Sequence, residues 1–228
     1  MKKLLLTLSL LAFTQSSFAQ NANSGGYYGG IQVGIADTRT IHNDNNDWYM
    51  NLKNSKATSL DPTIGLKFGF DVVKDSQIYG YLIEGSFLSS DTNKNYYDFR
   101  DDFDPAYRVG SKIKAIGSLR GKYGIVSDKL AVYGTAGFAF ADIKHTYVEL
   151  DGSEQFFDNK GKNQGYVFGV GTSYAFDSKK FISLDISQYR FKNKNHMLLE
   201  SDGTPTDCCT FGIKDTINTI NISYNLKF

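Results

Sequence analysis

The sequence predicts an all-β fold, an eight-stranded antiparallel up-and-down transmembrane β-barrel. Two observations predict it. Apolar and polar residues alternate with a period of two over several segments, as in strands whose side chains point to opposite faces in turn. Short and long polar connections then alternate along the chain, which is typical of membrane barrels with tight turns at one end and long loops at the other.

The N-terminus has the layout of a secretory signal peptide. A short basic start precedes an apolar run over residues 4–13, and small residues follow at the positions that signal peptidase requires. We therefore predict cleavage between Ala19 and Gln20. The apolar run is shorter than the roughly 20 residues that a spanning helix needs, although an N-terminal membrane anchor is the alternative. Residues 1–19 are thus predicted as signal peptide and 20–228 as one outer-membrane barrel domain.

Composition narrows the class of protein. Glycine (22), tyrosine (15) and phenylalanine (17) are abundant while proline (3) is scarce, a mixture that favours many strands joined by polar loops. No apolar stretch after the N-terminus is long enough for a membrane helix, which excludes an α-helical membrane protein. The formal net charge is +1, so nothing electrostatic indicates nucleic acid as a partner.

The clearest alternation begins at Leu60 and ends at Asp71. Its bulky apolar residues fall on one face and its small or charged residues on the other. Similar segments lie at 27–35, 79–87, 112–125, 166–176, 182–187 and 220–228. The segment near 130–143 is apolar on both faces, so its phase stays open.

Residue size indicates which face is outside. The polar face carries mostly glycine, serine, threonine and asparagine, whereas the apolar face carries tyrosine, phenylalanine, leucine and isoleucine. The interior of an eight-stranded barrel is only just wide enough for side chains, so the small residues belong inside and the bulky ones against lipid. A soluble lipocalin-type barrel, with its apolar face inward, is the alternative.

Connection lengths and aromatic residues indicate which end of the predicted barrel faces the periplasm. The short connections are 72–77, 126–129 and 177–180, and the long ones are 39–59, 89–108, 146–164 and 192–213. Aromatic residues cluster near the short turns and termini, where they would form a periplasmic girdle; ordinary β-propensity is the alternative explanation. These residues are Tyr27, Tyr79, Tyr81, Tyr123, Tyr174, Phe176, Phe181, Tyr224 and Phe228.

Several segments resemble a known family in order and spacing. Residues 115–139 resemble the central hairpin of small outer-membrane β-barrel proteins of the opacity-protein and OmpA-like type, and 165–176 resembles that family's sixth strand. Residues 183–191 resemble the seventh, with Gln188 where the family would have glutamate. The C-terminus, with Tyr224, Leu226 and Phe228, is similar to the family's membrane assembly signal. The resemblance implies a barrel in the bacterial outer membrane and does not imply one activity.

Six charged residues on the predicted inner face are candidates for a lumen network. An isolated charge in so narrow a lumen would be costly, which favours a closed set of ion pairs that plugs the barrel. The alternative is a gate or narrow ion path. The six residues are Lys67, Glu84, Lys114, Arg120, Lys122 and Asp185.

Catalytic and metal sites find little support in the sequence. The three histidines, His42, His145 and His196, fall in or beside predicted loops. Barrel-type lipid A deacylases use a histidine with a nearby serine and an acidic residue, and the closest approach, His145 with Glu149, lacks the serine. We predict no catalytic residue, no metal and no cofactor.

Two loop features stay open. Four carboxylates between residues 98 and 104 could offer oxygen ligands to calcium, but a solvated acidic loop is the simpler interpretation. Cys208 and Cys209 are adjacent and, after export, would meet an oxidising compartment, so they are either a strained disulfide or two separate thiols.

Three function classes remain. The first is a non-enzymatic surface protein with a structural or adhesion role through four long extracellular loops; the second is a small porin-like channel, and the third an enzyme that modifies outer-membrane lipid. Expected partners are outer-membrane lipid and lipopolysaccharide, the barrel-assembly machinery, and host surface molecules or phage. The expected oligomeric state is a monomer.

Overall fold

The alternating segments form strands that are longer than the alternation itself. The structure, a computed structural model, describes residues 25–44, 55–97, 105–149, 156–157, 162–192, 194–199 and 204–228. Its strands are β1 (Gly26–Asp44), β2 (Ser55–Lys74), β3 (Gln77–Tyr97), β4 (Pro105–Ser127), β5 (Leu130–Glu149), β6 (Phe156–Phe157), β7 (Lys162–Ala175), β8 (Lys180–Phe191), β9 (Lys194–Leu199) and β10 (Pro205–Lys227).

Eight of these strands close into a barrel, which confirms the predicted fold class. They pair antiparallel in the order β1-β2-β3-β4-β5-β7-β8-β10, and β10 pairs back onto β1. The closing pair is in register over its whole length, from Tyr28 opposite Lys227 to Asp44 opposite Phe211. The short strands β9 and β6 extend the sheet beside the upper part of β10. Within the described residues, no helix is long and apolar enough to cross a membrane.

The turns at one end are tight, as predicted. Asp75 and Ser76 join β2 to β3 and both have positive φ, 50° and 63°, as a two-residue type I′ turn requires. Between β7 and β8, the Asp177 carboxylate accepts hydrogen bonds from the backbone of Lys179 and Lys180 at 2.7 and 2.8 Å. Local chemistry therefore sets these reversals, and with them the strand register.

The described flanks of the predicted long connections are strand. The predicted boundaries of these connections were therefore wrong. Pairing of β1 with β2 continues to His42 opposite Ser55, and pairing of β3 with β4 continues to Tyr97 opposite Pro105. The alternation of apolar residues stops earlier because the upper part of the barrel wall stands in water, where outward residues need not be apolar. The barrel therefore extends well beyond the bilayer on the side away from the tight turns.

The outer face carries a belt of exposed apolar side chains around the lower part of the barrel. On β2, for example, Phe68 is 53% exposed whereas its neighbour Lys67, which points inward, is 2% exposed. The belt includes Ile31, Val33, Ile35, Leu60, Ile64, Leu66, Phe68, Ile83, Phe87, Leu119, Phe138, Phe140, Phe168, Val170, Ile186, Ile220 and Ile222. This is the apolar band by which a barrel contacts lipid.

The structure settles the phase of the segment near 130–143. On β5, Phe138 is exposed on the belt, while Tyr133 and Ala139 are buried inside the barrel. Periodicity could not decide this, because both faces of the strand are apolar for different reasons. The outward residues meet lipid, and the inward ones pack against other lumen side chains.

A β-bulge in β4 overturns one site assignment. Ile113 lies opposite Ile143 and Ala115 lies opposite Asp142, so Lys114 is an extra residue without its own partner on β5. An inserted residue inverts the side-chain phase beyond it. Ile113 is consequently buried inside, and Lys114 is exposed on the outer face rather than in the lumen.

Most of the predicted girdle residues lie on the outer face near the tight turns. Tyr27 and Phe70 pack with ring centroids 4.7 Å apart, and Tyr174 packs edge-on against Phe176 at 5.8 Å. Phe181 is an exception, because it is buried in the lumen with its ring 5.2 Å from that of Tyr28. Those two rings, with Ala175, form part of the floor of the barrel interior.

Replacement of Leu66 tests the lipid-facing belt. Leu66 is near the middle of the belt on β2, and arginine at the midplane of a barrel costs roughly 2–4 kcal/mol. We expect Leu66→Arg to lower the free energy of unfolding in lipid vesicles by about that amount. Thr58→Arg, on the same face of β2 but above the belt, is the control and should cost far less. Equal effects of the two substitutions would contradict the assigned membrane position.

Candidate functional site

In the part of the chain that the structure describes, inward side chains fill the lumen in layers. The lowest polar layer holds three cations and three carboxylates, all buried, at about the level of the apolar belt. Each cation meets one carboxylate of another strand, so three ion pairs cross the lumen: Lys67 with Asp185, Arg120 with Glu84, and Lys122 with Asp71.

The pair between Lys67 and Asp185 joins β2 to β8. The Lys67 Nζ lies 2.5 Å from Asp185 Oδ2 and also donates to Ser183 and Ser223 at 3.4 Å. The hydroxyl of Tyr133 donates to the other oxygen of Asp185 at 2.9 Å. Both charges therefore have several hydrogen-bond partners, the condition under which buried ions are tolerated.

The pair between Arg120 and Glu84 is braced by hydroxyl groups from three further strand positions. One guanidinium nitrogen of Arg120 contacts both Glu84 and the hydroxyl of Tyr189, which also donates to Glu84. The remaining guanidinium nitrogens donate to Ser187 at 2.7 Å and to Ser118 at 2.9 Å. The planar arginine fork thus ties β4 to β3 and β8.

The third pair closes the layer toward the tight turns. Lys122 Nζ donates to Asp71 Oδ2 at 2.8 Å and lies 4.2 Å from the centroid of the Tyr133 ring. Cation and ring attract at this distance, because the face of an aromatic ring is negatively polarised.

Five of the six predicted lumen residues thus lie together, and Lys114 does not. The structure adds Asp71, Tyr133 and Tyr189 to the set. Asp71 continues the inward alternation of β2 and could have been included from the sequence. Tyr133 could not, because the phase of its strand was open.

An apolar layer lies directly above the ion pairs. On β1, Ala36 lies between Gln32 and Thr38, and on β10, Ile217 lies between Thr219 and Asp215, all of them buried. The layer consists of Ala36, Leu88, Ile113, Ile116, Ala139, Ala141, Ile143, Val167, Tyr189, Phe191 and Ile217, all buried. Close-packed apolar side chains leave no room for a hydrated ion. We call this layer, which also has the buried Thr38 and Thr219 at its height, the seal of the lumen.

A second polar layer lies above this seal, beyond the lipid-facing belt. Ser111 Oγ is hydrogen-bonded to His145 Nδ1 at 2.8 Å, and His145 Nε2 lies 3.5 Å from Asp215 Oδ2. Thr40 donates to Asp215 at 2.7 Å. Asp215 is five residues beyond Ile220, the last exposed apolar residue of β10, which places the group outside the membrane span.

Burial raises the pKa of Asp215 from 3.8 to about 7, and the hydrogen bond from Thr40 opposes this increase. Two histidines face the carboxyl from other strands. His145 reaches it from β5, and His42 lies diagonally across the pairing of β1 with β10. The layer thus holds a buried carboxyl whose pKa is raised toward neutral pH.

Serine, histidine and aspartate in this order are the side chains of a nucleophilic triad. The serine that the sequence did not place near His145 is Ser111, which lies opposite it on β4. All three side chains are buried, and Ser111 has no exposed surface. In this arrangement Ser111 and His145 share a hydrogen bond, and the three side chains pack together in the upper lumen. No group of three metal-binding side chains comes together in the part of the chain that the structure describes.

Comparison with known proteins gives the family. The model of the outer membrane protein beta-barrel domain matches residues 5–228. The chain belongs to this family. It is accordingly a protein of the bacterial outer membrane, as its strand pattern and apolar belt indicate. None of the curated proteins matches its sequence.

Solved barrels of the outer membrane superpose on this family member with different TM-scores. The outer membrane protein OprG from Pseudomonas aeruginosa superposes with a TM-score of 0.55 at 11% identity, over 92% of this chain and 100% of that one. The attachment invasion locus protein Ail of Yersinia pestis gives 0.41 at 13% identity, over 89% and 99%. The outer membrane protease OmpT from Escherichia coli gives 0.47 at 9% identity, over 89% and 97%. At 11% identity, the superposition on OprG shows the fold alone.

Several predicted sites lie outside the described residues. They are the cleavage site at Ala19 and Gln20, the acidic segment 98–104, and the side chains of His196, Cys208 and Cys209. Tyr224, Leu226 and Phe228 are described and point outward at the end of β10, and their role as an assembly signal stays a prediction.

A double-mutant cycle tests the braced ion pair of this barrel. Glu84→Ala leaves the Arg120 guanidinium without its carboxylate, and an unpaired buried charge costs roughly 3–5 kcal/mol. We expect a loss of that order in the free energy of unfolding, and partial recovery in the variant that also carries Arg120→Ala. Lys114→Ala, on the outer face, is the control and should change little. Strictly additive losses would show that the two residues do not interact.

The pH dependence of stability tests the upper layer. Asp215 keeps its proton in the folded chain up to about pH 7, whereas the unfolded chain releases it near 3.8. Stability contributed by this proton is complete below 3.8 and is lost as the pH rises to about 7. Between pH 5 and 8 the wild type should therefore lose unfolding free energy relative to Asp215→Asn.

Asp215→Asn removes the carboxyl together with its contact to His145, so the difference between the two proteins reports on this pair. Asp142→Asn, on the outer face of β5, is the matched control and should leave the pH slope of the wild type in place. Parallel pH curves for wild type and Asp215→Asn would contradict a raised pKa.

Proposed function

We propose that this outer-membrane barrel is a non-enzymatic surface protein that acts through its extracellular end, in a structural or adhesion role. The observation that carries the proposal is the filled lumen. Three ion pairs and an apolar layer occupy the space through which a solute would pass. In this proposal the barrel is a scaffold for the connections between strands at its upper rim.

The shape of the wall supports the same role. The strands continue beyond the lipid-facing belt, which lifts the rim away from the membrane surface. Residues 45–54, 98–104 and the stretches around β6 and β9 connect the strands at that end. Recognition residues commonly lie on such connections, because a rigid scaffold fixes their position. Host surface molecules and phage are the partners that this arrangement would suit.

Conductance separates this function from a small pore. In a planar bilayer, the wild-type protein should show little steady conductance, because the apolar layer excludes hydrated ions. Ile217→Ser combined with Ile116→Ser would make that layer polar, and brief openings in this variant would locate the seal. Ile31→Ser with Ile222→Ser, on the lipid face, is the control. A large and steady wild-type conductance would replace the proposed role with that of a pore.

Attachment provides the direct test of the surface role. Bacteria that produce the barrel should adhere to epithelial cell layers better than the same strain without it. Replacement of residues 45–54 or 98–104 by a short Gly-Ser turn should remove the gain in at least one case, while the barrel still folds. Equal adherence of all strains would contradict an adhesion role.

A further inference from the structure

Among the side chains that the structure describes, the outer wall above the apolar belt is basic, although the chain as a whole is nearly neutral. Among side chains that the structure describes there, the exposed basic ones are Arg39, Lys56, Arg108, Lys112, Lys114, Lys144, Arg190, Lys192 and Lys214. The exposed acidic ones are Asp37, Asp91 and Asp142. Nine positive and three negative charges leave an excess of six, against a formal net charge of +1 for the whole sequence.

One part of this wall spans three neighbouring strands. Arg190 on β8 lies opposite Thr216 on β10, and Thr216 lies opposite Arg39 on β1. Strands about 4.8 Å apart place the two arginines roughly 10 Å from each other across Thr216. Lys214 lies two residues further along β10 on the same outer face, and Lys192, exposed as well, directly follows the end of β8. We call Arg39, Arg190, Lys192 and Lys214 the basic patch.

The four side chains of the basic patch have no acidic partner among the described residues. Asp37 is the nearest acidic residue along β1, and it accepts a hydrogen bond from Asn218 at 3.2 Å. Arg190 is oriented instead by a neutral group, since its Nε donates to Gln188 Oε1 at 2.6 Å. Gln188 in turn donates to Asn218 at 2.8 Å. Among the described residues, the patch therefore meets no carboxylate within ion-pair distance, and a neutral group orients Arg190.

The height of the basic patch points to its ligand. On each of the three strands, the row of Arg39, Thr216 and Arg190 lies four residues beyond the last exposed isoleucine, which is Ile35, Ile220 or Ile186. Four residues on a strand tilted by about 45° rise roughly 9 Å. This is the level at which the head groups of the outer leaflet meet the barrel wall.

We propose that the basic patch binds the phosphate groups of the outer-leaflet glycolipid, lipopolysaccharide. Arginine presents two parallel N–H donors that match phosphate oxygens, and lysine adds a compact positive charge. The acyl chains of the same lipid would lie on the isoleucines below the patch. The opposite wall is a poorer site, because Lys112 is already 3.3 Å from Asp91. This binding rests on the outer-membrane location and is independent of the proposed adhesion role.

Binding of purified lipid A to the folded full-length barrel in detergent, measured by native mass spectrometry, tests the inference. Wild-type protein should bind bisphosphorylated lipid A more tightly than its monophosphorylated form. Arg39→Gln with Arg190→Gln should weaken binding at least about tenfold, because charge-assisted hydrogen bonds to phosphate are lost. The loss should shrink as salt is added. Heat-modifiable mobility on gels shows that each variant is folded.

Lys112→Gln with Lys144→Gln is the matched control, since it removes the same charge at a similar height on the opposite wall. Its effect should stay below about twofold in affinity if the patch, and not the overall field, binds the lipid. Unchanged binding in the arginine variant, or equal losses in both variants, would overturn the proposal. The proposal would also be overturned if the basic patch bound a sulfated polysaccharide such as heparin while substitution of the patch left lipid A binding unchanged.

Discussion

Hydrocarbon offers no hydrogen-bond partners to a peptide backbone. The pairing of β1 with β10 satisfies the backbone groups that the first and last strands would otherwise expose to lipid. With the first and last strands paired in register, no strand presents an unpaired edge to lipid over the height of the belt. Closure with only eight strands also fixes a narrow interior. Most other features of the molecule follow from which side chains fill that interior and which ones cover the outer wall.

The lumen shows the first consequence. Inward positions hold either small side chains or large ones that meet a partner across the barrel, and Arg120 with Glu84 and Tyr189 is the densest instance. Desolvation makes each of these charges costly alone, so they occur as pairs with additional hydroxyl donors and acceptors. The apolar layer above them uses the same narrow space without polar atoms. Alternating polar and apolar layers thus stabilise the scaffold and also obstruct its axis.

The outer wall shows the second consequence, because one continuous sheet passes through two solvents. Each strand carries exposed apolar residues at the level of the hydrocarbon and polar or basic residues beyond it, with no break in pairing between the two. The transition occurs at equal distances on neighbouring strands, as at Ile35, Ile220 and Ile186. A rigid wall with a sharp chemical boundary can hold a charged cluster at a fixed depth in the lipid head groups.

The sequence by itself determined the barrel, its strand faces and most of its lumen charges. The alternation of β2 is a local property, so Lys67 could be placed inside and Phe68 outside from their order alone. What it could not determine depended on pairing. A single bulge in β4 moved Lys114 to the outer face. The bulge is evident only from the pairing of Ile113 and Ala115 with successive residues of β5. The lengths of the strands were hidden as well, because the upper wall lacks the apolar residues that mark a strand in lipid. Ser111 and His145 come from the paired strands β4 and β5, whereas Asp215 comes from β10, far along the chain, and only the tertiary structure brought the three together. Closure of the barrel aligns these strands through backbone hydrogen bonds, and no pattern within one segment encodes that alignment.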